Sequence, residues 1–174
     1  FIENNKVVAD PTEDRDFKMH SEKKGTTRKG PTAPGFEVEE VLPTLTNKAV
    51  SWIENAAKTP EKPFFVYIPL TTPHTPIAPS KNWAGKSGLG AFGDFVAETD
   101  DAIGSILGVL ERLRIYENTL VIVTSDNGCS PQADYPTLLK KDHNPSHIFR
   151  GHKADIYEGG HHVPFLVSWP KVVK

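Results

Sequence analysis

The 174 residues predict an α/β fold: a mostly parallel sheet flanked by helices. Two short apolar runs, residues 64–68 (Phe-Phe-Val-Tyr-Ile) and 120–124 (Leu-Val-Ile-Val-Thr), have the composition of strands covered on both faces. Between them, over residues 93–114, Val96, Thr99, Ile103, Ile106, Leu107, Leu110 and Leu113 form one stripe at helical spacing. Strand, helix and strand in this order read as a crossover joining two parallel neighbours.

The other elements follow along the chain. Residues 1–36 are polar, charged and aperiodic, with turns expected at Asp10-Pro11, Lys24-Gly25, Lys29-Gly30-Pro31 and Pro34-Gly35. They predict a long, loop-rich surface segment. Its basic stretch, 18–29, is diluted by acidic residues. A helix is expected over 44–58, where Leu42, Leu45, Ala49, Ile53 and Ala56 share a face and Thr59-Pro60 stops it. After the strand at 64–68, Pro69 and the Thr-Pro repeats force a loop to about Trp83. A long loop is expected from Ser125 to about Gly151. The last strand, 163–169, reads as a sheet edge because Pro164 and Pro170 withhold ladder donors. Residues 1–36 and 37–174 therefore differ in kind.

Composition narrows the function. With 13 Gly and 15 Pro, about 16% of the chain against a usual ~12%, many loops are expected. A net charge of −2 lacks the basic face that nucleic acid demands. No apolar run nears the roughly 18–20 residues that span a bilayer. The single cysteine, Cys129, excludes an internal disulfide and a thiolate zinc cage. The chain starts at Phe1 with no signal-peptide pattern and stops just after an apolar run, so a segment of a longer protein is expected.

Open α/β sheets place their sites beyond the carboxyl ends of the strands. Here those ends are 69–76 and 125–130. In Thr72-Pro73-His74-Thr75-Pro76, two prolines hold the backbone around one histidine, which suits directed proton transfer, or merely caps a loop. Ser125-Asp126-Asn127-Gly128 offers a carboxylate and an amide oxygen, hard ligands for Ca²⁺ or Mg²⁺, or an ordinary turn. Two such ligands leave a calcium shell unfinished. In Gly151-His152-Lys153-Ala154, Lys153 could reach an oxyanion as a point charge or face solvent. Asp134, His143, His147 and Arg150 lie between and could contact substrate or form a solvated surface. Asp100-Asp101, inside a helix, reads as solvated rather than metal-binding.

These segments together resemble the sulfatase family, within the alkaline phosphatase superfamily. The resemblance covers most of 37–170. It rests on 63–67 (Pro-Phe-Phe-Val-Tyr) leading to Pro73-His74-Thr75-Pro76, on Thr124-Ser125-Asp126-Asn127-Gly128, and on Gly151-His152-Lys153 with Tyr157-Glu158-Gly159-Gly160. Cys129-Ser130-Pro131 and His143-Asn144-Pro145-Ser146-His147 look like its bacterial arylsulfatase branch. The resemblance implies an alkaline-phosphatase-like fold, here incomplete, with 37–174 as the central and late part of a catalytic domain. It implies Asp126 and Asn127 as Ca²⁺ ligands, with Mg²⁺ an alternative. His74 would contact the sulfate ester and protonate the leaving alcohol, and Lys153 would hold sulfate oxygens. His143, His147 and Arg150 are further candidates for substrate contact.

The family nucleophile is a formylglycine made from Cys or Ser in a Cys/Ser-x-Pro-x-Arg motif. Cys129-Ser130-Pro131-Gln132-Ala133 fails that motif because Ala133 stands at the arginine position. The early acidic metal ligands are also missing, since Asp10, Asp14 and Asp16 lack their context. Both are therefore expected upstream. His162 stands where relatives usually carry arginine. The expected substrate is a sulfated small molecule or a sulfated carbohydrate, and resemblance points to a periplasmic or secreted bacterial protein. The competing readings are a phosphatase or phosphodiesterase of the same superfamily, which would want richer metal clusters, and a non-catalytic carbohydrate-binding pseudoenzyme.

Overall fold

Helix pairing builds the core. In a computed structural model describing residues 1–19 and 25–173, α1 (Val41–Ala56) packs on α2 (Ala91–Arg112). Ile53 of α1 meets Val109 and Leu110 of α2, all but sealed from solvent, with Val50, Phe64, Ile106 and Val121 packed around them. Pro43 sits in the first turn of α1, where its missing N–H costs no helical bond. The Trp52 and Phe64 rings meet edge to face at 5.6 Å and tie the segment after α1 to its outer side.

Both helices match the sequence expectation to within a few residues. The stripe on α2 does not match throughout. Val96 is exposed, while Asp94, Phe95, Glu98 and Ala102 take the inward face of the first turns. The expected apolar line slips there because two carboxylates, rather than aliphatic side chains, satisfy backbone donors of the preceding loop. Asp100 and Asp101 are exposed, as expected.

Residues 1–36 contain more structure than the loop reading predicted. The pairs β1 (Ile2–Glu3) with β2 (Lys6–Val7), and β4 (Lys18–Met19) with β5 (Gly25–Thr26), are antiparallel. The second is enclosed by β3 (Glu13–Arg15) with β6 (Gly30–Thr32), also antiparallel. The strands are two or three residues long, too short for periodicity to reveal. Of the basic stretch at 18–29 and the turn at Lys24-Gly25, residues 20–24 lie outside the described residues.

The expected parallel sheet is not formed among the described residues. The strand β7 (Val121–Thr124) pairs antiparallel with β8 (Phe165–Ser168), from Val121 opposite Ser168 to Thr124 opposite Phe165. Among the described residues, 64–68 joins no ladder. It is extended but alternates, with Phe64, Val66 and Ile68 half-buried and Phe65 and Tyr67 exposed. A strand needs a neighbour about 4.8 Å away to spend its backbone donors, and composition cannot supply one. The expectation of cover on both faces also fails among the described residues. Phe65, Tyr67 and Ile122 remain exposed.

The loop expected at 125–151 contains a 3-10 turn (Pro131–Ala133) and a short helix, α3 (Tyr135–Leu139). A one-turn helix, α4 (Glu158–His161), precedes β8.

Candidate active site

The site is assembled from three segments. The first leaves the carboxyl end of β7. There the Ser125 hydroxyl donates to the Asn127 carbonyl at 3.0 Å, and Asn127 Nδ2 donates to the Gly128 carbonyl at 3.0 Å. The second bond spends the amide's donor end on backbone and leaves Asn127 Oδ1 without a protein partner among these contacts. The Asp126 carboxylate is exposed beside it. This is a hard-oxygen pair, fit to begin a Ca²⁺ or Mg²⁺ shell and unable to finish one. Among the described residues, no group of three or more His, Cys, Asp or Glu could hold a metal.

The second segment carries Lys153 and is stitched to the first through the backbone. Gly128 N–H donates to the Gly160 carbonyl and Lys153 N–H to the Cys129 carbonyl, both at 2.9 Å. Gly159 N–H donates to the Arg150 carbonyl at 2.8 Å. The chains approach so closely that a Cβ on Gly128 would lie 1.9 Å from the Gly159 carbonyl oxygen. A Cβ on Gly160 would lie 2.1 Å from that of Asp155. Glycine is required at both by proximity. Nearby, Ser146 Oγ donates to the Gly151 carbonyl at 2.9 Å, and the Tyr135 hydroxyl lies 2.8 Å from Ser146 Oγ. Burial pushes the Tyr135 phenol up to about 12. Burial also raises the Cys129 thiol, with a Tyr135 hydrogen bond opposing it.

The third segment mounts His74, and α2 anchors it. The Thr72 and Thr99 hydroxyls are 2.9 Å apart, and Ser80 N–H donates to Glu98 Oε2 at 2.9 Å. Ile77 and Ala78 between them are buried. His74 Nδ1 lies 2.9 Å from the Thr75 carbonyl. The Thr75 hydroxyl lies 3.2 Å from the same nitrogen; a proton on Nδ1 would satisfy the carbonyl and leave Nε2 for chemistry.

Residues of these segments line an open cleft of about 240 Å³. His74 and Thr75 form one wall, Lys153 and Ala154 another, and Ser130, Pro131 and Gln132 the third. The two residues proposed for catalysis thus share one concavity. Another hollow, about 20 Å³ between Gly90, Phe92 and Leu138, has room for little more than a water.

His143, His147 and Arg150 do not line the cleft. His143 and His147 are exposed, and the Arg150 guanidinium lies 3.7 Å over the Tyr157 ring. Asp126 and Asn127 lie on the same strand-end loop as Ser130 but are not lining residues. His162 stacks on Phe149 at 4.2 Å, and its Nδ1 meets Glu158 Oε2 at 2.6 Å. That hydrogen bond holds the Glu158 carboxyl below its usual range.

Sequence reasoning missed Ser130 and Gln132, having tested that loop only as a nucleophile motif. The available signal was a serine followed by proline, the pattern of a capped turn. Ser130 indeed caps the 3-10 turn, accepting from Gln132 N–H at 3.3 Å.

A family model described as Sulfatase matches residues 4–174. The chain is 40% identical over 139 residues to the N-acetylgalactosamine-6-O-sulfatase of Bacteroides thetaiotaomicron, covering 78% of this chain and 27% of that protein. It is 36% identical over 131 residues to the steryl-sulfatase of Homo sapiens, covering 75% and 22%. A structure solved in work on glycosaminoglycan metabolism by B. thetaiotaomicron superposes with a TM-score of 0.76 at 32% identity. It takes in 98% of this chain and 38% of that one. Ps i-CgsB, in complex with k-i-k-neocarrahexaose, superposes with a TM-score of 0.60 at 29% identity, covering 79% and 30%. The chain therefore spans about a quarter of the length of the curated relatives named here.

Proposed function

The chain belongs to the sulfatase family, and on that premise we propose that it supplies the proton-donating and sulfate-holding part of an enzyme hydrolysing sulfate esters of carbohydrates. The observation that carries this reading is the shared cleft of His74 and Lys153. The carbohydrate class is supported by the names of relatives, which include an N-acetylgalactosamine-6-O-sulfatase and a carrageenan-oligosaccharide complex.

Hydrolysis of a sulfate ester must expel an alkoxide while negative charge grows around the sulfuryl group. Lys153 bears a fixed positive charge at the cleft wall and balances the sulfate oxygens. His74, with Nδ1 held by the Thr75 carbonyl, presents Nε2. In the imidazolium form, Nε2–H delivers its proton to the departing oxygen. Asp126 and Asn127 would hold a hard divalent cation, which supplies further charge neutralisation at the sulfate. The nucleophile, expected as formylglycine, is assigned to sequence outside these 174 residues. A periplasmic or secreted bacterial enzyme is the matching location; no described helix is long and apolar enough to cross a membrane.

The test uses the full-length protein containing this segment, with sulfate release as the assay. His74→Ala is expected to cost about 10²–10⁴-fold in kcat, more for sugar than for aryl sulfates. A phenol leaves well without a proton, whereas a sugar alkoxide does not. Unchanged turnover in both His74→Ala and Lys153→Ala would overturn the reading.

A further inference from the structure

We propose that Gln132 reads the alcohol half of the substrate, its carboxamide donating to a hydroxyl or ring oxygen of a sulfated sugar. The inference rests on the sulfate-ester reading above and concerns the wall of the cleft that this reading leaves unused.

With His74 and Lys153 engaged on the sulfate, the remaining polar side chains lining the cleft, apart from Thr75, belong to Ser130 and Gln132. Their geometry orders the amide. Gln132 N–H donates to Ser130 Oγ, which occupies a lone pair and directs the hydroxyl proton outward. That proton goes to Gln132 Oε1. The amide oxygen is thereby spoken for, and the two N–H donors of Nε2 have no partner in the described contacts. The turn that carries them is fixed. Ala133 behind it is 1% exposed, and its N–H donates to the Ser130 carbonyl at 2.9 Å. The next residue back, Cys129, accepts from Lys153 N–H, so the amide and the lysine belong to one framework.

The chemistry of the wall selects a class of alcohol. Gln132 is neutral, so it adds little to the hold on sulfate. Its free groups are donors, which need an acceptor such as a hydroxyl or ring oxygen. No Phe, Tyr or Trp lines the cleft among the described residues, so a flat aryl alcohol finds no aromatic wall beyond the His74 imidazole. A hydroxylated ring fits this wall better than a phenol does.

The test compares full-length wild type, Gln132→Ala and Ser130→Ala. The probes are 4-nitrophenyl sulfate and a panel of galactose, galactosamine and glucosamine monosulfates. The readout is the ratio of kcat/KM for the best sugar sulfate to that for the aryl sulfate. Gln132→Ala is expected to lower this ratio about tenfold, the loss of one hydrogen bond to substrate, mainly through KM. Ser130→Ala should lower it less, because it frees the amide to rotate without removing it. An unchanged ratio in Gln132→Ala overturns the inference, and so does an equal fall on both substrates. Aryl turnover with no sugar turnover overturns the carbohydrate assignment. Wild type inactive on every sulfate ester overturns the parent reading instead. Gln132 is exposed, so the variants should fold, and matched thermal unfolding checks that.

Discussion

The glycine junction offers the sharpest test of how the site is held together. Placing a methyl group at residue 128, as Gly128→Ala, puts a carbon 1.9 Å from the Gly159 carbonyl oxygen. Real contacts of this kind do not fall under 3.0 Å, so the strand-end loop and the Gly159-Gly160 turn must separate by about 1.1 Å. The obstacle is backbone, which cannot swing aside as a side chain would. That separation takes the 2.9 Å bond from Gly128 N–H to Gly160 out of hydrogen-bonding range. The lost bond costs about 1 kcal/mol and the forced repacking about 1–3 kcal/mol. Stability should therefore fall by about 2–4 kcal/mol in denaturant unfolding of the full-length protein. Misplacing Asp126 and Asn127 against Lys153 by about 1 Å should cost on the order of 10²-fold in turnover. Gly108→Ala is the internal control. It lies within α2 with nothing inside 4 Å of a new Cβ, and it should gain about 0.5–1 kcal/mol. If Gly128→Ala matches that control in stability and keeps full turnover, the junction does not set the site.

Further predictions follow from the same contacts. Ile53→Ala should cost about 2–5 kcal/mol on thermal unfolding. Arg112→Ala, which removes an exposed ion pair to Glu54 at 2.7 Å, should cost at most about 1 kcal/mol. Burial raises the Asp94 carboxyl, but the N–H donors of Ser87, Gly85 and Lys86 and the Ser87 hydroxyl outweigh it and hold the group below its ordinary range. A depressed carboxyl contributes stability above its unfolded value and loses it as pH falls through its folded one. Asp94→Asn should therefore destabilise at neutral pH by about 1–3 kcal/mol and flatten the decline below about pH 4. His162→Ala should return the Glu158 carboxyl toward the ordinary range in an NMR titration. The isolated 174-residue chain should release no sulfate from an aryl sulfate and bind calcium weakly in calorimetry, since two ligands leave the ion largely hydrated. Turnover or tight binding would refute this.

The helices were legible because their signal is internal. Leu42, Ala49 and Ile53 repeat on one face whatever packs against them, and all three are buried. The sheet was less legible because a strand's partner is external to it. Residues 64–68 and 120–124 are both short apolar runs, yet of the two only Val121–Thr124 joins a ladder, with Phe165–Ser168 running the other way. Nothing within either run encodes which neighbour it will meet. The site divides along the same line. His74 and Lys153 could be named from the loops that bear them. That they share a cleft follows from Lys153 N–H meeting Cys129 across 24 residues, a contact with no sequence period.

The acidic residues of α2 divide according to the backbone donors that meet them. On α2 the obvious pair, Asp100-Asp101, is solvated, while Asp94 and Glu98 are 2% and 5% exposed. A carboxylate belongs inside only when fixed donors meet it. Here the donors are the N–H groups of Gly85 and Ser87 for Asp94, each at 2.7 Å, and of Ser80 for Glu98. All three lie in the loop between His74 and the start of α2, whose prolines and glycines disrupt regular ladders and leave backbone donors to be satisfied. The helix therefore does for this loop what a neighbouring strand would do for an edge. It supplies acceptors, and in doing so it fixes the span that carries His74. Glu98→Gln keeps an acceptor for Ser80 and should preserve turnover. Glu98→Leu, similar in volume but without one, should strand the Ser80 donor and loosen the mount. Its kcat should then fall on sugar sulfates more than on aryl sulfates, since the poorer leaving group depends more on a positioned proton. Equal loss on both substrate types would mean that Glu98 stabilises the fold without positioning His74.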